Sequence, residues 1–78
     1  MKLIKCLNAQ WPNETVGIVD GATNPPYFYT VEYILQNKPS LLKRKVFSIR
    51  AANIGVGDKQ EPVVVYYLGA RNENYNTN

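Results

Sequence analysis

Seventy-eight residues with one cysteine and no histidine exclude an intrachain disulfide and leave a zinc site without imidazole ligands. So short a chain must hold by good packing or by association with neighbours. A net charge of +3 falls short of the basic stripe of a dedicated nucleic-acid binder, and a charged share of 19%, below the usual about 25%, fits a surface that is partly covered in use.

Residues 2–7 read as a first strand with mixed faces. Residues 8–13 form a loop, in which Pro12 blocks ladder pairing beside Trp11. Residues 15–19 are rich in β-branched side chains and read as a strand. Asp20 and Gly21 signal a turn, and Pro25 and Pro26 extend it into a longer loop. Residues 27–36 carry the clearest strand pattern. Tyr27, Tyr29, Val31, Tyr33 and Leu35 alternate with Phe28, Thr30, Glu32, Ile34 and Gln36, the period of a half-buried strand.

Residues 37–40 turn the chain. Residues 41–45 read as one helical turn or as the start of the next strand, which runs on through residues 46–49. Residues 51–59 hold Gly55, Gly57 and Asp58 and read as a flexible connection; residues 62–68 are the last strand. The expected fold is all-β, or β-rich with one short helical turn: a small antiparallel barrel or sandwich of about five strands. Residues 1–71 make a single domain and residues 72–78 a polar, Asn-rich tail.

Residues 63–68 are apolar on both faces, with high β-propensity and no charge. On an exposed edge such a strand would be an aggregation template. It must therefore be a central strand of the chain's own sheet or be covered by a partner.

Catalysis finds little support. There is no histidine to act as a base near neutral pH, and the six carboxylates are scattered. Cys6 in a strand suits a small buried hydrophobe. The glycines of residues 55–59 lack phosphate-loop spacing and suit a hairpin turn. No enzyme, cofactor or metal is expected.

The first functional expectation is a structural or adaptor subunit of a larger assembly, such as a small virion protein. It would contact other protein subunits through Trp11, Val63, Val65, Tyr67 and Tyr75. Tyr75 would anchor a tail that needs a neighbour to be ordered. The alternative is a single-strand nucleic-acid-binding barrel. Lys43, Arg44 and Lys45 would contact phosphates, and Tyr27 or Tyr29 would stack on bases. A protein inhibitor of a host factor would use the same anchors as the first. No apolar run reaches the about 20 residues of a membrane helix, and no secretory signal opens the chain. With a lone cysteine, the expected place is the cytoplasm or, for a viral protein, the virion.

Overall fold

The structure, a computed structural model, describes residues 1–21 and 25–69. In chain order the elements are α1 (Leu3–Leu7), β1 (Thr15–Asp20), β2 (Tyr27–Thr30), α2 (Val31–Asn37), α3 (Pro39–Leu42), β3 (Val46–Val56) and β4 (Lys59–Leu68). The four strands form one mixed sheet in the order β2-β1-β4-β3. β1 runs antiparallel to β2 and parallel to β4, while β3 and β4 form an antiparallel hairpin. The chain is strand-rich, as expected. The sheet is open, with β2 and β3 as its edges, so the described residues show neither a closed barrel nor a fifth strand.

Residues 2–7 are helical, not a strand. Leu3, Cys6 and Leu7 are buried while Ile4 and Lys5 face out; spacings of three and four residues put the buried set on one helix face. The strand expected over residues 27–36 stops at Thr30. Its hydroxyl accepts a hydrogen bond from the Tyr33 amide at 3.1 Å and caps α2. Val31 and Ile34, three apart, become the buried positions, and Tyr33 and Leu35 turn outward. The apparent alternation thus joins a short strand to a short helix. Of the two readings of residues 41–45 the helical turn is nearer, as α3 with Pro39 in its first turn.

Residues 51–59 are not a loose connection. β3 runs on to Val56, and the chain reverses at Gly57 and Asp58, with Gly57 at φ 62°. That left-handed conformation is one glycine adopts without strain. β4 starts at Lys59, earlier than the expected residue 62. Pro62 is accommodated because β1 reaches only as far as Val64, so β3 is the one neighbour of β4 at that point.

The strand that is apolar on both faces is central. β4 pairs with β1 through Val64–Leu68 and with β3 along its whole length. Alternation sends Val64, Tyr66 and Leu68 to the side where all three helices pack. There they meet Leu3, Leu7, Val16, Ile18, Val31 and Ile34 in the main core. Val63 and Val65 point the other way and cluster with Val19, with Ile54 and Tyr67 against them.

Candidate functional site

The two sheet edges differ. β2 has four residues and follows Pro25 and Pro26; shortness and proline are both features that keep an edge from pairing. β3 has eleven residues and no proline. Its sole charge is Arg50, whose guanidinium lies over the Tyr67 ring, 5.3 Å from the centroid, and so bends onto the sheet face. A bulge between Val46 and Ser48 marks the start of β3, and beyond it the ladder with β4 is regular.

Residues 1–3 pair with the outer edge of the chain just before that bulge. The Leu3 amide donates to the Arg44 carbonyl at 3.0 Å, the Val46 amide donates to the Met1 carbonyl at 2.8 Å, and Lys2 lies opposite Lys45. Past Met1 nothing among the described residues pairs with the outer edge of residues 47–56. Among the described residues the backbone N–H and C=O groups directed to that side have no strand partner and form a vacant ladder. At its head Phe47 is 63% exposed and Ile49 55%. A depression of about 500 Å³ is lined by Met1, Ile4, Lys2 and Lys5, and Met1 pairs with Val46, the residue before Phe47.

This pairing also gathers charge. Lys2 and Lys5 are one turn apart at α1, Lys43 and Lys45 flank Arg44, and all four lysines are exposed. Among the described residues none of them has an ion-pair partner. Arg44 behaves differently. It is largely buried, pairs with Asp20 at 2.8 Å and donates to the Gly69 carbonyl. The expected basic triplet is therefore split, with Arg44 tying β1 to the end of β4 and the lysines outside.

The other expected contact residues are scattered. Trp11 is 73% exposed in the turn after α1. Its amide donates to the Glu14 carboxylate at 3.1 Å, which holds the turn. Val63 and Val65 are buried in the chain's own second cluster, and Tyr67 is half-buried under Arg50. Tyr75 and the tail lie outside the described residues. Tyr27 is exposed, whereas Tyr29 stacks parallel on Tyr33 at 5.5 Å and carries Lys38 over its ring at 5.4 Å. Tyr27 and Tyr29 also line a separate cleft of about 400 Å³ with Lys38 and Ser40. Phe47, Ile49, Met1, Ile4, Lys2 and Lys5 were not expected at a site. Lys2 and Lys5 at helical spacing, opposite Leu3 and Leu7, were the signal that a helix there would have revealed.

Among the described residues no cluster of three or more metal-ligating side chains occurs, and no helix is long and apolar enough to cross a membrane. No protein-family model, no curated protein and no solved structure matches this chain.

Proposed function

We propose that this chain is a non-enzymatic adaptor or structural subunit that docks to other protein chains through the outer edge of β3. The observation that carries the reading is the vacant ladder of residues 47–56, unprotected by proline or an outward charge and headed by exposed Phe47 and Ile49. An extended segment laid on such an edge gains main-chain hydrogen bonds along its length, and its alternate side chains find apolar contacts. Trp11, exposed on a turn, offers a second anchor.

Less supports the nucleic-acid reading. Arg44 is engaged with Asp20 and Gly69, and one of the two tyrosines, Tyr29, is already stacked.

The test compares wild type with the Phe47→Lys, Ile49→Lys double variant as bait in an extract of the cells that express the protein. The reading expects one protein species retained in near-equal amount by wild type and lost by the variant, whose circular dichroism is unchanged. Equal retention by both baits would refute the β3 edge as the docking element.

A further inference from the structure

Resting on the reading of β3 as a docking edge, we infer that the segment it accepts is extended and acidic, with its carboxylates at the end that lies over Lys2, Lys5, Lys43 and Lys45. The first ground is continuity. The vacant edge begins at Phe47, two residues after Lys45, and the depression lined by Met1, Ile4, Lys2 and Lys5 adjoins it where Met1 pairs with Val46. An added strand that covers Phe47 and runs on past the bulge reaches residues 1–3, which hold the edge there, and so comes beside the Lys2–Lys45 pair.

The second ground is the Lys2–Lys45 bridge itself. Two like charges directly opposite in an antiparallel pair oppose that pairing, and no carboxylate among the described residues offsets them. An acidic partner removes this repulsion on binding, so the lysines favour the docked state more than the free one.

Charge also separates the candidate occupants. A second copy of the chain brings no carboxylate on its own β3, whose one charge is Arg50. A nucleic acid satisfies the lysines but has no amide ladder to fill the edge. An acidic extended peptide satisfies both. Its direction follows from the place of the lysines at the start of β3: an antiparallel segment carries its carboxylates at its C-terminal end.

The test uses labelled peptides of alternating valine and threonine that end in a run of glutamates, and fluorescence anisotropy against the full chain. Four further probes are the same peptide with glutamines, the same peptide with alternate amides N-methylated on the edge-facing side, polyglutamate, and an oligothymidylate. We expect the glutamate peptide to bind at least about tenfold more tightly than the glutamine one, the sum of several exposed ion pairs, with the advantage shrinking as salt rises. The Lys2→Gln, Lys45→Gln variant should lose most of that advantage. Equal binding of the glutamate and glutamine peptides overturns the acidic preference and leaves the docking edge standing. Undiminished binding of the N-methylated peptide overturns the edge reading itself. Polyglutamate or oligothymidylate binding as tightly as the glutamate peptide shows a general polyanion patch and overturns the inference.

Discussion

At Gly17 the sheet leaves room for hydrogen and little more. A Cβ there would sit 3.0 Å from the Phe28 ring and 3.0 Å from a methyl of Val65. Phe28 lies on the edge strand and can yield, but Val65 is buried in the second cluster. Gly17→Ala should therefore destabilise by about 1 kcal/mol, the low end of overpacking; urea titration measures it, and an unchanged midpoint would show that the contact is slack. Tyr66 makes a second residue-scale case. Burial, with the nearby Cys6 thiol and Glu14 adding to it, raises its phenol above the ordinary value, and its hydroxyl donates to the Gln10 side chain. A raised phenol favours the neutral form in the fold. Its contribution is therefore complete below pH about 10 and is lost as pH climbs toward the folded value. Wild type should lose more melting temperature between pH 9 and 11 than Tyr66→Phe does, the lysines being common to both. Parallel curves for the two proteins would contradict this. Little of the candidate site was legible at this scale: Lys43 and Lys45 stand out in sequence, but Lys2 joins them only through a pairing across more than forty positions.

At the scale of elements, Thr30 decides where β2 becomes α2. With its hydroxyl capping the Tyr33 amide, Thr30→Ala should cost about 1 kcal/mol and fray the helix. Amide exchange of Tyr33 and Ile34 reads the local effect, and unchanged exchange there would remove the cap from the account. The same residue shows why part of the fold could not be read from sequence. Residues 27–36 satisfy strand alternation throughout, yet Val31 and Ile34 also satisfy helical spacing, and a cap breaks the tie. Leu3, Cys6 and Leu7 were ambiguous in the same way, since a five-residue helix is too short to establish a period. The strand at residues 15–19 and the apolar stretch 63–68 were legible because β-branched and aromatic residues dominate both and most of their side chains are buried. Residues 51–56 were hidden because glycine and asparagine signal a turn, whereas pairing with β4 holds them extended.

The whole molecule places its most hazardous strand in the middle of the sheet and leaves a less apolar one outside. β4 is paired on both sides where it is most hydrophobic, at Val64–Leu68. Among the described residues β3 keeps one side vacant over residues 47–56, and the lysines of α1 and of the approach to β3 stand at its head. In a domain this small few core residues are available for stability, and on the proposed reading a bound chain completes the open edge. The central claim is that this edge accepts an added strand, and amide hydrogen exchange of residues 47–56 tests it most directly. In the free protein the outward-facing amides of β3 should exchange fast while those of β4 are protected. With the glutamate-ended strand peptide bound, alternate amides of residues 47–56 should gain protection in a two-residue rhythm. Binding of that peptide with no added protection anywhere along β3 would contradict the account.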